Sequence, residues 1–239
     1  MPDSDDIPAA PADPVIVARG LCLDTSLGPV FADVDLTVER RAVAGIVGRA
    51  GSGRSALLLT LAGRMRGWSG ELNVAGLDVR TEARRVRQVV SLARIADLVD
   101  LEGELLVSSS ISERALIDGI QPHEAEARMA WFEDLIGSRI PRSERVGRLS
   151  RLDETRFALA LALVRPAEIV VLDDADRGLD FEEQVLLGES MARLAGSGVT
   201  LVICVTDANS LPPGATVYRL APPTRAADPA EQPTAESES

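Results

Sequence analysis

One stretch decides the fold of this chain: Gly48-Arg49-Ala50-Gly51-Ser52-Gly53-Arg54-Ser55. It matches the phosphate-binding pattern G-x-x-x-x-G-K-[ST] at every position except one, where arginine replaces lysine. The apolar run 42–47 before it and the run 56–63 after it predict a buried strand and a buried helix. In that setting the glycines let backbone N–H groups turn toward a polyphosphate, and the helix adds the positive end of its dipole. The sequence therefore predicts a P-loop.

The loop and the first helical residue supply the candidate nucleotide contacts. These are Gly48, Gly51, Ser52, Gly53, Arg54, Ser55 and Ala56. The hydroxyl of Ser55 stands where the pattern places a ligand of Mg²⁺. Arg54 keeps the positive charge of lysine and can bind phosphate through two N–H groups, but it is larger and planar. All 25 Lys and Arg residues are arginine, which indicates a general drift away from lysine and not a change special to this site. We expect phosphate binding to survive and phosphoryl-transfer geometry to suffer.

Composition excludes several function classes. With 239 residues the chain forms one large domain or two intimately joined ones. A formal charge of −12 argues against nucleic-acid binding, which normally needs a basic face. Cys22 and Cys204 lie in apolar segments and are expected to be small core residues, not a disulfide or a metal pair. The N-terminus is acidic where a signal peptide is basic, and no apolar run approaches the ~18 residues of a membrane span. We expect the chain to have no membrane span of its own.

The order of segments predicts an α/β core that is interrupted by helices. Residues 1–13 and 221–239 have the composition of disordered tails. Between them, 14–220 is expected to be one nucleotide-binding domain with a helical subdomain at approximately 95–163.

Helix signals are clearest inside that subdomain. Ser110 or Ser112 is a candidate N-cap for its first helix, and Pro122 is expected to open the second. The second helix should bury one face made of Ala125, Met129, Phe132 and Ile136. A third helix is expected over 149–164.

A second candidate site follows the apolar strand 168–172, which ends in Asp173 and Asp174. In P-loop proteins such a strand places the first carboxylate where it holds Mg²⁺ and the second where it orients the attacking water. The sequence therefore predicts Asp173 as a metal ligand and Asp174 as the catalytic carboxylate.

The order of these motifs resembles the nucleotide-binding domain of ABC transporters over about 14–220. The segment Leu149-Ser150-Arg151-Leu152-Asp153 stands where the family has its L-S-G-G-Q signature. Gly178-Leu179-Asp180 resembles the D-loop, Arg94 falls near the Q-loop glutamine, and Val205-Thr206-Asp207 stands at the switch histidine. The resemblance implies an α/β P-loop NTPase fold of the ABC type, in which a mixed sheet with N-terminal antiparallel strands is joined to a helical subdomain.

The sequence departs from the family at most of its functional motifs, whereas Gly178-Leu179-Asp180 is intact. The departures are Arg54 for lysine, Arg94 for glutamine, Arg151 and Leu152 for the signature glycines, Asp153 for the signature glutamine, Asp174 for glutamate and Asp207 for histidine. In this family the signature of one cassette closes on the nucleotide held by another. Arg151 and Leu152 are expected to obstruct that approach, and Asp207 is expected to repel the γ-phosphate.

The resemblance implies the ligands and partners. They are ATP with Mg²⁺, a transmembrane transporter subunit, and a homodimer or heterodimer with another ABC cassette. We expect a cytoplasmic protein on the inner face of the membrane, held there only through its partner because no basic amphipathic helix is evident. Arg94 and 95–106 are the expected contact with that partner.

Three functions are compatible with these motifs. The first is an ATP-binding transporter subunit with slow hydrolysis. The second is a non-hydrolysing regulatory or structural module that uses nucleotide as a conformational ligand. The third, an unrelated P-loop enzyme such as a small-molecule kinase, is disfavoured because the helical insert lies between the P-loop and Asp173.

Overall fold

The computed structural model describes residues 14–96 and 98–222. The tail expected over 1–13 lies outside these residues, as does the tail expected over 221–239 from residue 223 onward.

Within the described residues nine strands form two sheets. They are β1 (Pro14–Thr25), β2 (Gly28–Glu39), β3 (Val43–Val47), β4 (Trp68–Val74), β5 (Leu77–Asp78), β6 (Val90–Arg94), β7 (Ile169–Leu172), β8 (Thr200–Val205) and β9 (Thr216–Arg219). The first sheet is antiparallel in the order β2-β1-β4-β5, and the second is parallel in the order β6-β7-β8-β3-β9. The predicted α/β fold with N-terminal antiparallel strands is confirmed.

Six α-helices accompany the strands in the described ranges. They are α1 (Arg54–Leu61), α2 (Val79–Val89), α3 (Val107–Asp118), α4 (Pro122–Ile136), α5 (Arg151–Ala162) and α6 (Phe181–Gly196). Three of these, α3 to α5, fall inside the segment 95–163. Pro122 opens α4 as expected, and the four residues expected on its inner face are all buried.

The expected N-cap of the first of these helices is wrong. α3 begins at Val107, so both candidate serines lie within the helix. Their hydroxyls donate back to the carbonyl oxygens four residues earlier, Ser110 to Leu106 and Ser112 to Ser108. A serine in that arrangement satisfies its hydroxyl locally and does not mark a helix start.

The absence of a basic amphipathic helix was also a wrong expectation. α2 carries Arg80, Arg84, Arg85 and Arg87 on its outer face. Its inner face is formed by Val79 and Val86, which are both buried. Because the apolar face packs into the core, α2 presents charge to the surroundings and has no free apolar face to insert into a bilayer.

The parallel sheet lies between two cores and brings three loops together. Val43 and Val47 of β3 pack with the helices α3 to α6, whereas Ala44 and Ile46 pack with α1 and the antiparallel sheet. Loops that leave the carboxyl ends of neighbouring parallel strands meet at one edge of a sheet. Here these are the loops after β3, β7 and β8, which carry the P-loop, the two aspartates and Asp207. Among the described helices none is both long enough and apolar enough to span a bilayer.

Candidate functional site

The P-loop leads directly into α1. Gly51 and Gly53 both have positive φ angles, 79° and 87°, which favour glycine. A Cβ at Gly53 would also collide with the carbonyl oxygen of Val30 on β2. The loop is therefore wedged against the antiparallel sheet. It is closed at its start by a 3.4 Å hydrogen bond from the N–H of Gly48 to the carbonyl of Val205. Ala56 lies in the first turn of α1, and its carbonyl accepts a hydrogen bond from the hydroxyl of Thr60.

Arg54 forms an ion pair across the site. Its Nη2 lies 2.6 Å from Oδ1 of Asp174, and only 9% of its side chain is exposed. Asp174 is 27% exposed and has a φ of 44°, a left-handed conformation that Asp tolerates better than most residues. The basic residue of the P-loop and the second carboxylate after β7 therefore neutralise each other.

Ser55 and Asp173 form a second contact next to the first. The hydroxyl of Ser55 donates to Oδ2 of Asp173, whose other oxygen accepts the N–H of Asp174 at 3.0 Å. Asp173 is 1% exposed. Burial, and then the negative charge of Asp173, raise the pKa of the neighbouring Cys204 thiol well above its usual range. Cys204 is accordingly a protonated core residue, as the sequence predicts.

Two buried polar atoms in this region have no hydrogen-bond partner among the described residues: Nη1 of Arg54 and Oγ of Ser52. Unpartnered buried polar groups are costly and commonly mark the place of a missing ligand. A guanidinium N–H and a hydroxyl suit a phosphate oxygen. The hydroxyl of Ser55 and the carboxylate of Asp173 are hard oxygen donors, the type that Mg²⁺ prefers. The site therefore fits the phosphates of a nucleotide with Mg²⁺.

Arg94 lies at the end of β6 and supports the neighbouring strand end. Its backbone carbonyl accepts the N–H of Asp173 at 2.9 Å, and its Nη2 donates to the carbonyl oxygen of Asp174 at 3.0 Å. A longer contact of 3.5 Å joins the same nitrogen to Thr155 of α5. Arg94 thus positions the two carboxylates and connects them to the helical part of the fold.

Asp207 is placed differently from the other carboxylates. Its own oxygen Oδ1 accepts the N–H of Asn209 at 2.9 Å, so it caps a short 3₁₀ helix, Ala208–Ser210. Its N–H, in turn, donates to Oδ2 of Asp176 at 3.1 Å. Within the described residues no hydrogen bond or ion pair connects Asp207 with Arg54. The structure brings together Arg54, Ser55, Asp173 and Asp174, and it leaves the Asp207 carboxylate on its own loop.

The segment 149–153 begins α5. Ser150 is the N-cap and accepts the N–H of Asp153 at 3.1 Å. Arg151 is 66% exposed and pairs with Glu154 at 2.6 Å, while its side-chain carbons lie beside Gly178. Leu152 is only 6% exposed and packs into the core. The expectation that Leu152 crowds the outer face of this loop is wrong, because its side chain points inward; Arg151 alone stands there.

Asp180 follows the loop that contains Gly178 and begins α6. Its carboxylate accepts the N–H of Glu183 at 2.9 Å, and the carboxylate of Glu183 accepts the N–H of Asp180 at 3.1 Å. This reciprocal pair is a capping box, which satisfies two free N–H groups at the helix start.

Comparison with known proteins agrees with this architecture. A family model described as "ABC transporter" matches residues 31–177. The chain belongs to the ABC transporter family.

Individual members of the ABC family show how far the likeness extends. The ABC transporter ATP-binding protein NatA of Bacillus subtilis is 25% identical over 170 residues, which cover 71% of this chain and 69% of NatA. The ribose import ATP-binding protein RbsA 1 of Mesorhizobium japonicum is 29% identical, and the match covers 75% of this chain and 37% of RbsA 1. A crystal structure of a nucleotide-free ATP-binding cassette from an ABC transporter superposes with a TM-score of 0.71. That match is 14% identical and covers 87% of both chains, so it shows a shared fold.

Two features of this ABC domain were missed by sequence reasoning: the contacts of Asp176 and the pairing of Arg54 with Asp174. Asp176 accepts the N–H groups of Thr206 and Asp207 at 2.8 and 3.1 Å, and so joins the loop after β7 to the loop after β8. Its position three residues after Asp173 was the only available signal. The pairing of Arg54 with Asp174 was also missed, although both positions were singled out as separate departures from the ABC motifs.

Proposed function

We propose that this chain is the ATP-binding subunit of an ABC-type membrane transporter or membrane-associated complex, and that it binds Mg-ATP and hydrolyses it slowly. One observation carries the proposal: Arg54 and Ser55 at the start of α1 face Asp173 and Asp174 at the end of β7. This geometry joins a phosphate-binding loop to a pair of carboxylates.

The proposed roles follow from the contacts of each residue. Ser55 and Asp173 would hold Mg²⁺, which supplies positive charge against the phosphates. The orphaned Nη1 of Arg54 and Oγ of Ser52 would donate to phosphate oxygens. The backbone N–H groups of the loop and the N-terminus of α1 add further donors.

Slow turnover is proposed because Asp174 already has a partner. A carboxylate that orients water must face the water, whereas Oδ1 of Asp174 is bonded to Arg54. Asp174 is also one methylene shorter than the glutamate of the ABC motif. Arg94 holds its backbone carbonyl and so limits how far the residue can move.

Calorimetry and phosphate release test the nucleotide site. The full chain should bind Mg-ATP, and hydrolysis should fall below the ~1 s⁻¹ lower end of typical turnover. Asp173→Ala should abolish the residual rate, whereas Asp134→Ala on the exposed face of α4 should leave it unchanged. Absence of ATP binding at millimolar nucleotide would refute the function. Binding without any release of phosphate would instead favour the non-hydrolysing module, and turnover of several per second would refute slow hydrolysis.

We further propose that the chain works at the inner face of the membrane beside a transmembrane partner, paired with a second cassette. A groove of about 270 Å³ beside β6 supports this, because its lining mixes apolar residues such as Leu101 and Leu105 with charged ones such as Glu102. It overlaps the segment 95–106, of which Asp97 lies outside the described residues. The partner contact expected of Arg94 stays a prediction.

Since Arg94 also supports Asp174, charge reversal at that position would disturb the nucleotide site and give an ambiguous result. Glu102 is the cleaner probe. Glu102→Arg should reduce co-purification of a membrane protein from detergent extracts, and Glu71→Arg on the antiparallel sheet is the matched control. Equal recovery with both variants would argue against docking in this groove.

A further inference from the structure

A second pocket, of about 390 Å³, lies where α1 ends and α2 begins. Four arginines line it: Arg64, Arg66, Arg80 and Arg87. The other lining residues are glycines or apolar side chains, among them Met65 and Trp68, and none of the lining residues in the described part of the chain is acidic. This concentration of guanidinium groups stands out in a chain whose net charge is −12.

Neutral groups hold two of these arginines in place. Arg87 donates to the carbonyl oxygen of Gly63 at 2.8 Å. Arg80 lies over the ring of Trp68, with 4.7 Å to the centroid, and donates to the carbonyl oxygen of Gly70 at 3.0 Å. A carbonyl or an aromatic ring orients a guanidinium without cancelling its charge. Arg80 and Arg87 are therefore held in place, and their positive charge can still bind an anion.

Further arginines surround the pocket, and carboxylates compensate some of them. Partial burial lowers the pKa of Arg64, and so do the nearby charges of Arg87, Arg114 and Arg165. Asp118 compensates two of these charges, at 2.6 Å from Arg114 and 4.0 Å from Arg165. For Arg64 and Arg66 the described residues provide no carboxylate within ion-pair distance. Glu82 pairs with Arg85 on α2, and Asp78 lies beside Arg80 at the helix start. These carboxylates reduce the positive potential at the edge of the pocket, which therefore depends most on Arg64 and Arg66.

Two exposed apolar side chains lie beside Arg114 on α3. Arg114 lies one turn before Ile117 on α3, and both line the groove beside β6. Ile117 is 72% exposed and its neighbour Leu116 is 82% exposed. Arg114 is paired with Asp118, but its charge still acts on Arg64, which places these aliphatic side chains on the same side of the fold as the pocket. Arginines with exposed aliphatic side chains nearby match the two parts of a phospholipid surface, the phosphate headgroup and the hydrocarbon just below it.

We propose that the arginine pocket, defined as Arg64, Arg66, Arg80 and Arg87, binds the phosphate headgroups of anionic phospholipids. The net charge of −12 opposes the approach of the chain as a whole to such a surface, so a local cluster of arginines must supply the attraction. The contact is shallow and electrostatic, because the apolar residues of α2 are buried in the core. The inference goes beyond the proposed function, since it requires neither nucleotide nor a protein partner.

Vesicle flotation of the full chain without nucleotide tests the proposal. The protein should float with phosphatidylglycerol-containing vesicles and not with phosphatidylcholine vesicles, and high salt should abolish the association. Each arginine near an anionic surface contributes about fivefold to binding. The double substitution Arg64→Gln with Arg66→Gln should therefore lower partitioning by roughly 25-fold. Arg145→Gln with Arg148→Gln removes the same charge from another exposed face and should change partitioning less than about twofold.

Several outcomes would overturn the proposal. One is the absence of binding to anionic vesicles at low salt, and another is an equal loss in the two double variants. Binding of soluble glycerol phosphate that depends on Arg64 and Arg66, without vesicle binding, would assign the pocket to a free phosphate ligand. Binding of polyglutamate in place of vesicles would assign it to an acidic protein segment. Circular dichroism of each variant confirms that a lost signal does not come from unfolding.

Discussion

At the scale of single residues, the pair Arg54–Asp174 makes an unusual prediction. Asp174→Asn removes the negative partner and frees the guanidinium of Arg54 for phosphate. A charge-assisted hydrogen bond contributes about 1.5–3 kcal/mol. In the wild type, nucleotide must break this bond before Arg54 can bind phosphate, and in the variant it does not. We expect Mg-ATP affinity to rise by about tenfold while the nucleotide-free protein becomes less stable. Calorimetry and thermal unfolding with and without Mg-ATP measure the two effects.

Asp207→Asn is the informative control for that experiment. The Asp207 carboxylate caps its own 3₁₀ helix, so its loss should leave ATP affinity within about twofold of the wild type. A large gain in affinity from Asp207→Asn would instead support the γ-phosphate repulsion inferred from the sequence. Unchanged or weaker ATP binding by Asp174→Asn would mean that the ion pair does not compete with nucleotide.

The lengths of the two side chains in this pair also complement each other. Arginine is longer than the lysine of the ABC motif, and aspartate is shorter than its glutamate. The longer side chain at position 54 therefore reaches the shorter one at position 174, with 2.6 Å between Nη2 and Oδ1. Arg54→Lys and Asp174→Glu should each destabilise the nucleotide-free protein. The double variant should regain stability, with a coupling energy above about 0.5 kcal/mol in a double-mutant cycle measured by denaturant unfolding. Additive losses would show that the residues act independently.

At the scale of secondary structure, Glu133 anchors the turn that follows α4. It is 4% exposed and accepts hydrogen bonds from Arg142 Nη1 at 2.6 Å and from the N–H of Ile140 at 2.9 Å. Burial alone raises the pKa of Glu133, but its hydrogen bonds and the charges of Arg142 and Arg139 outweigh burial and lower it. The stabilisation is therefore present above the ordinary glutamate pKa of about 4.3 and is lost as pH falls through the lowered value.

Glu133→Gln tests this anchor. Neutralising a buried carboxylate whose arginine partners are 30% and 69% exposed costs about 1–3 kcal/mol. We expect that loss of unfolding free energy at pH 7 and a smaller gap between variant and wild type in strong acid. Denaturant unfolding at several pH values measures it, and Asp134→Asn, whose side chain is 67% exposed, should cost less than about 0.5 kcal/mol. A gap independent of pH would contradict the ionic role.

Regular elements were predictable where their apolar period was strong. The strands β3, β7 and β8 are continuous apolar runs in the sequence, and α4 shows a clear buried face after Pro122. By contrast, α2 was missed because its four arginines and only two buried valines give little apolar signal. The start of α3 was misplaced because Leu106, its N-cap, has no side chain that can cap a helix.

The candidate site was predictable residue by residue but not pair by pair. Motif spacing identified Arg54, Ser55, Asp173 and Asp174, which the fold does bring together. Spacing contains no information on which side chain bonds to which across 118 to 120 residues of chain. The bonds from Asp176 to the loop after β8 depend on the same long-range geometry.

At the scale of the whole molecule, Arg151 bears on the proposed pairing of two cassettes. It is the exposed side chain at the start of α5, whereas Leu152 is buried. Arg151→Ala should strengthen dimerisation in the presence of Mg-ATP by about tenfold, because a smaller residue permits closer approach. Analytical ultracentrifugation measures the dimer, and Arg148→Ala removes an equal charge nearby. Weaker dimerisation of Arg151→Ala would show that this arginine is an attractive contact.

Asp174 provides a second connection between the P-loop and the loop after β8, besides the bond from Gly48 to Val205. Its side chain belongs to the P-loop, through Arg54, while two residues later Asp176 grips the loop that contains Asp207. A residue held at a φ of 44° stores backbone strain that relaxes when its restraints are released. Arrival of a phosphate at Arg54 would therefore act first on the side chain of Asp174, because Arg94 still holds the backbone carbonyl of that residue. Any later shift of the backbone after β7 would reach the loop after β8 through Asp176, which is bonded to Thr206 and Asp207.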